Sequence, residues 1–553
     1  MTTIVRDFHH TLIWPIQLRP LKRDASVSLT GGHFWDVLKD KPGAWKFVKD
    51  PLLIDDESCL TGYEEFVYFL PYVQRFLYGV GEDGRGAQSS IYIFRRDDIA
   101  QVKLALHRDG PYYTLDVLKV RLHFFYDADT AILTFEVCGK DIPLEDASDI
   151  IDRFGRPYPP AWDEAAQGAH CLDKISFIGK AGETLHESDY EDWEKYIDLV
   201  RDARQTPLSS HWEWLMQPLV PAYKRGGTIK FYQIENKRIP LMSYMAFDNP
   251  HDLSRGDMVR LGFAAKAGES TSLPYSPKFL EGFEAKHCYD RYWDETQTHI
   301  NMNTRYMFCN VAFTMICKYQ DERTDLKQHF RHQFYQIAIV AHFHKAALLN
   351  MSNRFSRAVE RLNVRDIESV KVFKRDVRQT LEVFLRFNHR YWFQEISNQV
   401  QAADFFAQLR TELGSDALYA EVREETYDIN QYLDNDRTRK QTDNAMRLTV
   451  VSICGMVGTI VTGFLGMNLY SHSDLTPLTK LVIFLAVFLP TVSLAVITIT
   501  FSKRLADFME ALSSEGLTWR EKLITFKQLW RGNKGELMRA RQYGRGMSGD
   551  AGD

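Results

Sequence analysis

Three groups of residues near the C-terminal end of this chain have types and spacings that could do chemistry. Gly466-Met467-Asn468 closes an apolar run that begins at Leu448, and sets a side-chain amide two residues from a glycine. An amide oxygen is a neutral acceptor that can hold the water shell of a cation without gripping the ion, and glycine lets a backbone carbonyl come close to a neighbour. Upstream, seven acids (Asp416, Glu421, Glu424, Glu425, Asp428, Asp434 and Asp436) stand against one base, Arg423. Glu421, Glu424, Glu425 and Asp428 are the candidate regulatory metal ligands among them, and the same residues also read as a solvated helix face. Just after the tripeptide come His472 and a single carboxylate, Asp474. Gly and Asn are also favoured at helix C-caps, so the tripeptide carries weight only through its setting.

That setting is two apolar runs. Residues 448–469 (LTVVSICGMVGTIVTGFLGMNL) and 481–501 (LVIFLAVFLPTVSLAVITITF) carry no formal charge. A helix needs ~20 apolar residues to cross a ~30 Å hydrocarbon core, so the sequence predicts a C-terminal two-helix transmembrane hairpin. Arg437, Arg439, Lys440 and Arg447 precede the first run, and Lys503 and Arg504 follow the second, whereas the connector 470–479 has no Lys or Arg. The positive-inside bias then puts both termini in the cytoplasm and Asn468 outside. A cytoplasmic bulk also suits the cysteines, seven in number and without CxxC pairs, which read as free thiols. The N-terminus has no uninterrupted apolar stretch after a basic start, so no cleaved signal peptide is expected.

A long helix must present the first run. No proline occurs between Gly414 and Pro477, and Ser415 or Asp416 can cap a helix that continues into residues 448–466, ~75 Å in all by helical rise. Leu418, Val422, Ile429 and Leu433 mark an apolar seam along its first half, suited to packing beside other helices. Helical spacing back from Asn468 sets Gly463, Thr459, Met456, Ser452 and Leu448 on one approximate face. Before this helix, residues 326–359 and 366–413 lack Pro and Gly and read as nearly continuous helix.

The region before residue 320 is mixed. Residues 118–126 and 131–138 are rich in β-formers and flank Asp127-Ala128-Asp129-Thr130, which predicts a hairpin. SIYIFR (90–95) and TIKFYQI (228–234) read as strands, while 189–204 and 211–219 have helical spacing. The expected fold class is an α+β domain with a mixed, partly antiparallel sheet, a long stalk helix and the hairpin. A net charge of −5 over 553 residues argues against a nucleic-acid footprint. Gly79-Val80-Gly81-Glu82-Asp83-Gly84 fits GxGxxG, but a strand follows it, not a helix, so a loop is the better reading. His329, His332, His342 and His344 lack nearby Cys or acid partners in sequence and read as ordinary surface or packing residues.

In this order of features (N-terminal α/β domain, long helix, Gly466-Met467-Asn468, short outer loop, second apolar run, basic end) the chain resembles the CorA family of divalent-cation channels. The resemblance is carried by residues 415–505 and more faintly by residues 391–399 (YWFQEISNQ) and the helices that precede them. It implies a homopentamer embedded in the inner or plasma membrane, with Mg²⁺ as transported and regulatory ion, no organic cofactor, and no partners beyond its own copies and lipid. It implies an ion entrance at Gly466, Met467 and Asn468, a pore lined by Leu448, Ser452, Met456, Thr459 and Gly463, and an inner mouth near Thr442. Asp474 would gather cations at the outer loop, although the family's usual proline-glutamate pair is missing there. The implied organisation is an α/β domain (1–320), a helical region (321–414), stalk and first span (415–469), outer loop (470–479), second span (480–502) and a basic tail (503–553) with Trp519 and Trp530, suited to anionic lipid. A zinc, cobalt or nickel transporter of the same architecture is the first alternative. A membrane-tethered cytoplasmic sensor or enzyme is the second.

Overall fold

The computed structural model describes residues 3–20, 35–40, 43–48, 59–79, 90–108, 110–125, 128–164, 167–227, 229–235, 237–294, 296, 303–320, 325–363 and 366–469, with isolated positions between 476 and 493. The chain divides into two compact units, Met1–Thr426 and Tyr427–Asp553.

The first unit is organised by a mixed 14-stranded sheet. Its strands are β1 (Ile4–Pro20), β2 (Trp45–Phe47), β3 (Ile91–Arg96), β4 (Ile99–Ala105), β5 (Tyr112–Phe125), β6 (Thr130–Pro143), β7 (Lys174–Gly179), β8 (Thr184–Glu187), β9 (Val220–Pro221), β10 (Ile229–Gln233), β11 (Leu241–Phe247), β12 (Cys288–Trp293), β13 (Asn303–Cys309) and β14 (Ala312–Lys318). The order across the sheet is β12-β13-β14-β11-β1-β6-β5-β4-β7-β8, with β10 and β9 beside the end of β1, and β3 and β2 beside the end of β5. β11 runs parallel to β14 and β9 to β10, whereas the central pairs are antiparallel.

Helices α1 (Asp36–Asp40), α2 (Cys59–Tyr68), α3 (Pro71–Tyr78), α4 (Leu144–Arg153), α5 (Trp193–Ala203), α6 (Ser210–Met216), α7 (Arg255–Gly262) and α8 (Pro277–His287) are set among the strands. Then follow α9 (Asp325–His329), a π turn (Phe330–Phe334), α10 (Tyr335–Glu360), α11 (Ile367–Arg390), α12 (Val400–Leu413) and α13 (Ser415–Leu469).

Strand alternation decides which residues meet which layer, because successive side chains point to opposite faces. In β6, Phe135 lies against Phe154 and Trp212 on one face, at 6.0 and 6.2 Å between ring centroids. Its neighbour Thr134 points the other way, to the Tyr335 hydroxyl of α10 at 2.9 Å. In β5 the same switch puts Phe124 against Phe94 at 5.7 Å, and Phe125 flat on Phe343 of α10 at 4.0 Å. The sheet is therefore covered on both faces, and each fully buried side chain of this size contributes about 1.5–3 kcal/mol. The hairpin expected over 118–126 and 131–138 is present as the longer pair β5 and β6.

Where one helix was expected over 366–413, α11 and α12 are separated by residues 391–399. The break needs no Pro or Gly because distant groups take over its backbone bonds. His344 Nε2 lies 2.6 Å from the Tyr391 carbonyl, Tyr72 donates its hydroxyl to Glu395 O at 2.5 Å, and Leu70 N donates to Ile396 O at 2.9 Å. Gly414 then ends α12 in the left-handed region, at φ 65°, and α13 starts at the next residue.

The expected transmembrane hairpin requires correction. Among the described residues no helix is long and apolar enough to cross a membrane. The run 448–469 lies at the end of α13, a 55-residue helix whose earlier part is strongly charged. Within the run, threonine, serine and glycine are interspersed among the apolar residues. The second run, 481–501, lies largely outside the described residues, as does the basic tail. The integral-membrane placement built on the two runs falls with the same finding.

Candidate functional site

Gly466, Met467 and Asn468 occupy the last turn of α13; the side chains of Met467 and Asn468, and all of Asp474, lie outside the described residues. Upstream, Leu448 is 69% and Met456 66% exposed, and Thr442, Ser452, Thr459, Gly463 and Gly466 are exposed as well. At Gly455, Gly463 and Gly466 an added Cβ would meet nothing within 4 Å. Arg447, Val451 and Gly458, in a different helical phase, are half-buried. The helix thus carries an open stripe of apolar and small residues with hydroxyls among them.

The threonine hydroxyls along this part of α13 are already committed as donors. Thr442 Oγ1 donates to Thr438 O at 3.0 Å, Thr449 to Ala445 O at 2.9 Å and Thr459 to Gly455 O at 2.9 Å. This bond to the carbonyl four residues back removes the donor from solvent and leaves the oxygen's lone pairs facing out. An oxygen presented this way can accept from water held on a cation.

The four acidic candidates separate by orientation. Glu421, Glu424 and Asp428 are exposed, whereas Glu425 is half-buried and accepts from Ser352 of α10 at 3.3 Å. Burial, with the Glu421 charge, raises the Glu425 pKa against the opposing Ser352 bond. Glu425 therefore belongs to the packed side of α13. Among the described residues no group of three or more His, Cys, Asp or Glu side chains is placed to hold a metal ion.

Two polar constellations escape sequence reading. The first lies between the sheet and α9, the π turn and α10. Lys327 donates to Asp7 at 2.7 Å and Arg331 to Glu136 at 2.8 Å, and Lys119 approaches Glu136 at 4.0 Å. His9 stands between the two acids, 3.2 Å from Asp7 and 3.9 Å from Glu136. Beside them Glu65 is held by His332 at 3.1 Å, Tyr78 at 2.7 Å and Gln336 at 3.0 Å. Burial pushes the Glu136 carboxyl up, but Lys119, Arg331 and His9 outweigh it and hold it below its ordinary value. Glu65 is lowered in the same way, with His332 and Tyr78 overcoming burial. The compensated charges fasten residues 325–336 to the sheet, and their partners are too distant in sequence for any spacing rule to reveal.

The second constellation surrounds the root of α13. Arg410 of α12 is buried, and pairs with Asp416 in the first turn of α13. Trp392 stacks on Tyr419 at 4.5 Å, and the Tyr419 hydroxyl donates to Asn388 at 2.5 Å. His344, fully buried on α10, is held neutral by burial, its pKa lowered to about 3. The aromatic content of Tyr391-Trp392-Phe393 was the available signal for this joint.

The GxGxxG reading is not supported at its one described residue. Gly79 ends α3 in the left-handed region, at φ 72°, as a C-cap, and residues 80–84 lie outside the description. No protein-family model matches the chain, and no curated protein matches it.

Proposed function

We propose that this protein passes hydrated divalent cations, Mg²⁺ first among them, through an assembly of identical copies in which the α13 ends meet. What supports this reading best is the stripe Leu448, Ser452, Met456, Thr459, Gly463 and Gly466, exposed in the single chain and leading to Gly466-Met467-Asn468. Mg²⁺ sheds its waters reluctantly, so neutral acceptors suit it better than carboxylates. Asn468 would supply an amide oxygen from each copy, the Gly466 carbonyl would join it, and outward lone pairs at Thr459 would accept from the ion's waters. Passage also requires release, and weak repeated sites favour it. Leu448 and Met456 would form apolar constrictions that dewet when narrow.

The experiment is a metal panel: vesicles carrying the full chain, loaded with reporter dyes, are challenged separately with Mg²⁺, Zn²⁺, Co²⁺ and Ni²⁺. Faster Mg²⁺ entry than in protein-free vesicles supports the reading. Entry of Zn²⁺, Co²⁺ or Ni²⁺ without Mg²⁺ would replace the ion. No divalent entry, with the protein intact, would refute ion passage and leave a sensor or enzyme role.

A further inference from the structure

The root of α13 is held by side chains that ion handling does not account for. Arg410 lays its guanidinium over Trp392 at 4.9 Å and over Phe406 at 5.6 Å. Its Nη1 donates to the Phe393 and Gln394 carbonyls at 3.4 Å each and to Gln394 Oε1 at 3.0 Å. Trp392 lies between this guanidinium and Tyr419, its plane within 8° of the Tyr419 ring. His344 of α10 packs on Trp392 at 4.9 Å. In this way α10, the end of α11, residues 391–399, α12 and the first turns of α13 meet around one indole.

The joint is asymmetric. The Arg410 residue is only 6% exposed, whereas the Asp416 side chain is 62% exposed. If Asp416 and Tyr419 move away, Arg410 loses its carboxylate partner but keeps its neutral acceptors at Phe393 and Gln394 and its place on the Trp392 ring, which hold it in the folded domain while leaving its charge uncompensated. The bonds that tie α13 down can break without dismantling those that hold the rest. Two further contacts fix the same segment: Val422 is buried and Glu425 accepts from Ser352.

We propose that Arg410, Trp392 and Tyr419 form a releasable clasp on the root of α13. Closed, it holds residues 415–426 against α10 and α11; open, it frees them while the sheet and α12 stay folded. Through this clasp the first unit governs ion passage, a consequence that rests on the cation reading, whereas the clasp itself does not.

Hydrogen exchange on the full chain tests the clasp without any flux. Asp416→Asn and Tyr419→Ala should each speed exchange of the amides of residues 415–426 by at least about tenfold, with β5 and β6 amides within about twofold of wild type. Tyr419→Phe keeps the ring stack and loses only the Asn388 bond, and should change exchange by less than about threefold. Unchanged protection of 415–426 in both Asp416→Asn and Tyr419→Ala would overturn the clasp, as would acceleration spread equally over the sheet. In vesicles the same two variants should change the rate of Mg²⁺ entry by at least about threefold. An unchanged rate alongside faster exchange would overturn the coupling and leave the clasp standing. Absence of Mg²⁺ entry in the wild type would remove the cation reading and the coupling that depends on it, while the exchange result would still decide the clasp.

Discussion

The indole of Trp392 lies flat on the ring of Tyr419, with centroids 4.5 Å apart and planes within 8° of each other. These residues belong to different elements, a linker between two helices and the second turn of α13. Their stack is a direct means by which the folded domain grips that helix. Offset stacking adds about 0.5–1.5 kcal/mol beyond area burial, and Arg410 on the opposite face adds a cation–π contribution.

Trp392→Ala should therefore destabilise the first unit by about 3 kcal/mol, the low end for removing a large aromatic, while Trp392→Phe should cost about half of that because a ring remains between Arg410 and Tyr419. Denaturant midpoints followed by circular dichroism check both values. Equal losses for the two variants would show that the stack is not what stabilises.

Acid should weaken the fold before the carboxylates titrate. His10, His123, His211, His342 and His344 are each driven down to about 3 by burial. They are neutral when folded, yet bind a proton below their ordinary value of 6.5 once unfolded. Stability is then fully present above that value and is lost progressively as pH falls toward 3. Urea midpoints between neutral pH and the mildly acidic range should fall with pH, and His342→Gln should make the fall shallower.

A second acid limb belongs to Asp7. Burial would raise its pKa, but the His9 contact and Lys327 overcome that and bring the carboxyl from 3.8 to about 2. A depressed carboxylate contributes stability above its unfolded value, and this contribution disappears as pH falls from 3.8 to about 2. Asp7→Asn should flatten the unfolding curve over that window and leave its shape near neutral pH unchanged.

Gly414→Ala isolates one backbone demand. The glycine has φ 65° and open space around an added Cβ, so the cost is conformational and not steric. A loss of about 1–2 kcal/mol is expected from placing an L-residue in the left-handed region. Gly414→Asn, which tolerates that region better, should recover part of it in the same denaturation assay.

Local pattern carried some of this architecture and not the rest. The β5–β6 hairpin was legible because its strands flank a polar turn, and the α12 stop because Gly414 stands between helical runs. The break at residues 391–399 was not, since its backbone is satisfied by His344, Tyr72 and Leu70 from far along the chain. Nor were the ion pairs of Lys327 with Asp7 and Arg331 with Glu136, whose partners lie 320 and 195 residues apart in sequence. The two apolar runs misled in a specific way. Counting uncharged residues suggested a hairpin, yet no described helix is long and apolar enough to cross a membrane. Within α13 the residues from Leu448 to Gly466 that share helical spacing are exposed where they are described.

The claim that matters most is that amides from several copies meet the ion, and Asn468→Ala tests it most directly. Mg²⁺ entry into vesicles is measured per assembled copy, with assembly size checked by light scattering. The account predicts at least about a tenfold loss of entry with the assembly unchanged, the scale of losing one good hydrogen-bond acceptor per copy. Entry equal to wild type from an intact assembly would contradict it.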